Sequence, residues 1–242
     1  MSGLRIGTSG YQYDHWRGIL YPPEVPKRRW FELYAARFDT VEVNNTFYRL
    51  PERHTFEAWR DRAPPGFCYA LKFSRFGTHI KRLNDPEEPL SRFTSRAAAL
   101  DRSLGPILVQ LPPNMGLDPE RLERFLAAAP RQYRWAVEFR NSDWLRDETY
   151  TLLRRHRAAL CLHDMIPHHP QVETTDWVYL RYHGGHYDGN YAPDQLRREA
   201  ERIRGWRDRG LDVYAYFNND LHGHAVNNAL DLRQRCSKEG VP

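Results

Sequence analysis

The sequence predicts a single α/β domain, a (β/α)8 barrel of TIM type with a short or missing sixth helix. Three observations lead there. Eight short apolar runs with strand character each end in polar or charged residues, and the stretches between them mostly read as helices. The length of 242 residues matches the roughly 250 of one such barrel, so residues 1–242 read as one domain.

The first run is LRIGTSG from Leu4, followed by the long aromatic loop from Gly10 to Pro26. Trp30, Leu33, Tyr34 and Phe38 then recur at helical spacing, which predicts a core-facing helix. TVEVNN from Thr40, CYALKFS from Cys68 and ILVQLP from Ile107 are the next three strands. Asp118, Pro119 and Glu120 open a helix reaching Ala129, with an N-cap and a proline in its first turn. RWAVEFR from Arg134 is the fifth strand, and Ser142 can cap a helix from Asp143 to His156. ALCLHD from Ala159 is the sixth. The segment from Asp164 to Val178 holds two prolines and no helical period, hence the doubt over a sixth helix. VYLRYHG from Val178 is the seventh strand, a helix opens at Pro193 and Asp194 and ends at Gly210, and DVYAYFNND from Asp212 is the eighth. The polar tail after Cys236 is expected to fray.

Composition bounds the class. A hydrophobic fraction of 40% with 13% aromatics supports a sizeable core, and the apolar stretches fall well short of the about 18 residues that would span a membrane. With no basic-then-apolar leader before the first strand, a cytoplasmic protein without a membrane partner is expected. The three cysteines are sparse and lack disulfide or metal-knuckle spacing. A net charge of +5 and a pI near 9.1 favour anionic partners, a small anion first and nucleic acid second. Oligomeric state is not written in the sequence.

The C-terminal ends of barrel strands carry the chemistry in this fold class. Alternation along the strands turns Glu42 and Asn44, Lys72, Glu138 and Arg140, and Tyr179, Arg181 and His183 inward. Gln110, Asp164 and Asn218 join them at strand ends, and the opening loop adds Tyr11 and Trp16. Adjacent strands would set Glu42 beside Lys72 and Asp164 beside Arg181. Six ionic groups in one interior are costly to desolvate, which argues for function. Glu138 and Asp164 are the expected acid–base pair, with His183 as proton shuttle and Glu42 as a further catalytic carboxylate. Lys72, Arg140 and Arg181 would hold a phosphate or carboxylate, and Asn44, Gln110, Asn218, Tyr11 and Trp16 would bind the rest of a hydroxyl-rich substrate. No cofactor motif is present; a divalent metal on Glu138, Asp164 and His183 is the alternative. The glycine turns GTSGY, from Gly7, and His183 to Gly185 offer backbone amides to an anion.

Taken together, IGTSGYQYDHWRG with LYPPEVP, TVEVNNTFYRLP, ALKFSRFGTHIKRL, LVQLPPNM, WAVEFRNSDW, YLRYHG and YAYFNND resemble the YecE-like family, also called domain of unknown function 72. The resemblance runs from Ile6 to about Leu230. It implies a TIM-type barrel related to xylose-isomerase-like and apurinic-endonuclease-like barrels, and it implies no activity or catalytic residues to carry across. Three functions follow. The first is a hydrolase, lyase or isomerase acting on a small anionic substrate by general acid–base chemistry. The second is a nucleic-acid-binding protein or repair-type nuclease, using the basic aromatic loop of Phe73, Arg75, Phe76, His79, Lys81 and Arg82. The third is a non-catalytic ligand-binding protein on the same fold.

Overall fold

A computed structural model of the protein describes residues 2–184 and 189–237. All eight expected strands form: β1 (Leu4–Thr8), β2 (Thr40–Val43), β3 (Cys68–Lys72), β4 (Leu104–Gln110), β5 (Trp135–Glu138), β6 (Ala159–His163), β7 (Trp177–Tyr182) and β8 (Asp212–Phe217). They belong to one sheet in the order β1-β8-β7-β6-β5-β4-β3-β2, and every described pairing is parallel. With helices between the strands, this is the (β/α)8 fold of TIM type. No residue from Asp164 to Asp176 is helical, so the sixth crossover carries no helix; Pro167 and Pro170 deny it the backbone donors a helix needs. Gly185 and the tail beyond Ser237 lie outside the described residues.

The chain divides into two compact units. One comprises Met1–Glu42, His163–Met165 and Asp176–Pro242; the other comprises Val43–Leu162 and Ile166–Thr175. In the first unit, helix α1 (Trp30–Ala35) follows a short 3₁₀ turn. Its predicted stripe packs as expected, with Trp30, Tyr34 and Phe38 at 0–1% exposure and Leu33 half-buried. Tyr34 ties three backbones together. Its hydroxyl lies 3.1 Å from the Thr8 N–H and 2.9 Å from Thr8 Oγ1, and donates to the Thr40 carbonyl at 2.9 Å. Beside it, Gly7 leaves no room for a side chain, because a Cβ there would run into the Thr40 carbonyl oxygen. Gly7→Ala should therefore cost about 1–3 kcal/mol, read as a lowered midpoint in thermal unfolding.

In the second unit, helices α2 (Asn45–Tyr48), α3 (Arg53–Arg62), α4 (Glu87–Ala97), α5 (Pro119–Ala128) and α6 (Asp147–Arg155) alternate with β3 to β6. Asp118 caps α5 by accepting the Arg121 N–H at 3.0 Å. The expected helix from Asp143 instead begins as a 3₁₀ turn, Ser142–Trp144, capped by Asn141, because Trp144 packs inward, stacked on Phe139 with centroids 5.0 Å apart. The core gathers Phe73, Phe93, Phe125 and Trp135, with Phe73 5.1, 5.7 and 6.0 Å from the other three rings. Back in the first unit lie α7 (Pro193–Asp208) and α8 (His224–Ser237). Among the described residues no helix is long and apolar enough to cross a membrane.

Candidate active site

The first unit holds two polar clusters. One is centred on Glu42, whose side chain is fully enclosed. Its Oε1 accepts from Ser9 and from Arg181 Nη2 at 2.8 Å, and its Oε2 accepts the Tyr179 hydroxyl at 2.7 Å. The alternation that set Tyr179 and Arg181 on one face of β7 is what brings both to the same carboxylate. Burial first, and the neighbouring Glu42 charge second, push the Tyr179 hydroxyl well above its usual range, which keeps it a neutral donor.

This corrects the expected pairings. Arg181 forms its ion pair with Glu42 and not with Asp164, and Glu42 is not the partner assigned to Lys72. A guanidinium reaches farther than strand adjacency suggests. Both side chains of this pair are enclosed, Arg181 at 1% exposure and Glu42 at 0%.

The second cluster is built on Asp164, which remains 32% exposed at the side chain. It collects four donors: the His183 N–H at 2.8 Å, the Gly184 N–H at 3.0 Å, the Tyr191 hydroxyl, and His183 Nδ1 at 3.2 Å. Burial opposes ionisation of this carboxyl, but the hydrogen bonds from His183 and Tyr191 outweigh it and hold the group well below its usual range. Asp164 is therefore a fixed anion. With that anion on Nδ1, the proton of a neutral imidazole sits on Nδ1 and Nε2 is the basic nitrogen. His163 lies edge-on to His183, centroids 6.0 Å apart.

Tyr191 is held by rings, 5.6 Å from Tyr182 and 5.7 Å from Phe217. Gly184 has φ +63°, and a Cβ there would strike the Gly189 carbonyl, so only glycine lets both its amide and that of His183 face Asp164. Of the β8 end, Asn219 is the buried residue, donating at 2.8 Å to the Gly189 carbonyl and to Asn228 Oδ1, whereas Asn218 is half-buried and bonds through its backbone to Tyr182.

A depressed carboxyl carries a pH signature. Asp164 binds a proton more weakly folded than unfolded, so its stabilisation is complete above its ordinary value of 3.8 and fades as pH falls below it. After discounting for its partial exposure, about 1–2 kcal/mol is involved. The stability advantage of the native protein over Asp164→Asn should shrink as unfolding is measured at successively lower pH below 4; an advantage independent of pH would contradict this account.

The opening loop supplies structure. Trp16 is fully enclosed, donates to Asp220 Oδ1 at 2.6 Å and packs against Tyr13 and Tyr21. Tyr11 packs on Phe31 and Tyr34, with centroids 5.6 and 5.5 Å away.

The second unit has its own polar group at strand ends. Register sets Gln110 level with Glu138. Lys72 Nζ donates to Gln110 Oε1 at 2.6 Å and lies 4.4 Å from the centre of the Phe47 ring. Glu138 is fully enclosed, paired with Arg140 and contacted by the Cys161 thiol at 3.7 Å. Asn44 is half-buried just before α2. Glu138, expected to form an acid–base pair with Asp164, is ion-paired with Arg140. In the basic aromatic loop, Phe73 is buried core and unavailable for stacking. Burial first, then the Lys72, Arg75 and Arg82 charges, lower the His79 pKa to about 4, so it adds no charge at neutral pH. Among the described residues no group of three or more His, Cys, Asp or Glu could hold a metal ion, Glu138, Asp164 and His183 included.

The comparisons with known proteins agree with this architecture. The family model described as Protein of unknown function DUF72 matches residues 5–241. The chain belongs to the DUF72 family. Its relatives include the UPF0759 protein YunF of Bacillus subtilis (strain 168), 24% identical over 95% of this chain and 93% of that protein. A DUF72 family protein of Thermotoga maritima MSB8 has a solved structure that superposes with a TM-score of 0.88 at 29% identity, covering 98% of this chain and 100% of the other. A DUF72 family protein of Enterococcus faecalis V583 has the same fold at 19% identity, with a TM-score of 0.82 over 98% and 96% of the two chains. The YecE-like resemblance and this DUF72 membership are one and the same family.

Proposed function

We propose that this DUF72 chain is an enzyme that moves a proton by general acid–base catalysis at Asp164 and His183, acting on a small, hydroxyl-rich substrate that carries a phosphate or carboxylate. The carrying observation is the four-donor setting of Asp164, which fixes its charge and aligns His183. An aligned imidazole gives and takes protons near neutral pH, and a fixed anion beside it stabilises its protonated form. The buried Glu42–Arg181 pair acts as a brace for the β7 end that carries His183.

Turnover of a panel of phosphorylated and carboxylated sugars by the native protein, His183→Gln and Asp164→Asn is the test. Loss of rate in both variants with folding retained supports the reading. Undiminished turnover in both sinks it.

A further inference from the structure

The second unit carries a groove that the proposed chemistry does not use. About 300 Å³ in volume, it is lined by Phe47, Tyr48, Arg49, Phe76, Arg92 and Arg96, with Ser74 at its wall. That volume sits at the lower end of the roughly 300–1,000 Å³ of small-molecule sites. Its two kinds of lining are unusual together: large aromatic faces left in water, and guanidinium groups.

Tyr48 is 78% exposed and Phe76 38%. Tyr48 is not loosely placed, because it ends α2 and meets the Phe47 ring edge-on at 5.0 Å. Arg92 and Arg96 stand one turn apart on α4, on the same helix face. Arg96 is committed: it pairs with Glu52 at 3.0 Å and donates to the Leu50 and Pro51 carbonyls, both at 3.3 Å. This also neutralises Glu52, the one acid lining the groove. Arg49 and Arg92 have no carboxylate or hydrogen-bond partner for their guanidinium groups among the described residues.

We infer that this groove binds a nucleotide unit, its phosphate on Arg49 and Arg92 and its base on the faces of Tyr48 and Phe76. Guanidinium forks match phosphate oxygens in pairs, and every base offers a face for stacking whatever its sequence. A sugar phosphate would use the arginines but leave the two rings exposed, and an acidic peptide would likewise have no flat ring to place on them. The unit could be a free nucleotide or one residue of a single strand, and the same experiment tells these apart.

The full-length protein is titrated with adenosine 5′-monophosphate, adenosine, inorganic phosphate, hexaglutamate and a short oligothymidylate. The monophosphate should bind at least about tenfold more tightly than phosphate or adenosine alone. Arg49→Gln with Arg92→Gln should weaken it about tenfold or more, and Tyr48→Ala about fivefold or more. All three side chains are exposed, so the variants should unfold at the native temperature. Tighter binding of the oligothymidylate than of the monophosphate assigns the groove to a single strand, and the reverse to a free nucleotide; either supports the inference. Equal binding of phosphate or hexaglutamate and the monophosphate, or no change in the variants, would overturn it. Because the groove belongs to the second unit and Asp164 and His183 to the first, failure here leaves the proposed catalytic pair standing.

Discussion

Arg181→Met should destabilise the protein by about 3–5 kcal/mol, the usual cost of stripping one partner from a buried ion pair. For a chain of this size that corresponds to a drop of roughly 6–20 °C in thermal midpoint. The cost does not measure the strength of the pair. It arises because Glu42, at 0% exposure, would lose its guanidinium partner and be left with only the hydroxyls of Ser9 and Tyr179. The double variant Glu42→Gln, Arg181→Met removes both charges and should recover most of the loss. A midpoint within about 2 °C of native in the single variant, or no recovery in the double one, would show that water reaches this carboxylate after all.

His183→Gln should reduce kcat by about 10²–10⁴ on whatever substrate the panel identifies, the usual contribution of a positioned acid–base group. Asp164→Asn should fall in the same range by a different route. Asparagine keeps the shape but not the charge, so it neither selects the Nδ1 proton nor stabilises an imidazolium. In both variants KM should move much less than kcat, since neither side chain is assigned to binding. Tyr191→Phe removes one donor of four from Asp164, and about a tenfold effect is expected. A large rise in KM with kcat preserved would make Asp164 a substrate-binding group, not the orienting anion.

The strands were legible because each apolar run is short, bounded by polar residues and of the right period. Alternation also put Tyr179 and Arg181 on one face of β7, and both reach Glu42. It failed on β8, because VYAYF is apolar at every position and has no period to read; Asn219 holds the buried place assigned to Asn218. Partner assignment failed for a separate reason. It assumed that neighbouring strands set the pairs, whereas Ser9, just past β1, and the long Arg181 side chain decide the company of Glu42. Tyr191 was missed because it lies in a loop after β7, where sequence has no period; the rings of Tyr182 and Phe217 and its hydrogen bond to Asp164 fix its position. Nothing in the opening loop signals that the Trp16 indole folds inward onto Asp220.

The complete enclosure of the Glu42–Arg181 pair also predicts how the molecule responds to ionic strength. At physiological salt, mobile ions screen charges separated by more than about 8 Å of solvent, but they cannot enter a space from which water is excluded. The attraction inside that pair is therefore blind to added salt, while Arg49 and Arg92 stand in solvent and feel it fully. A rise in salt should loosen an anion from the groove and leave the brace of β7 untouched, so salt alone separates what this protein holds from what holds it together.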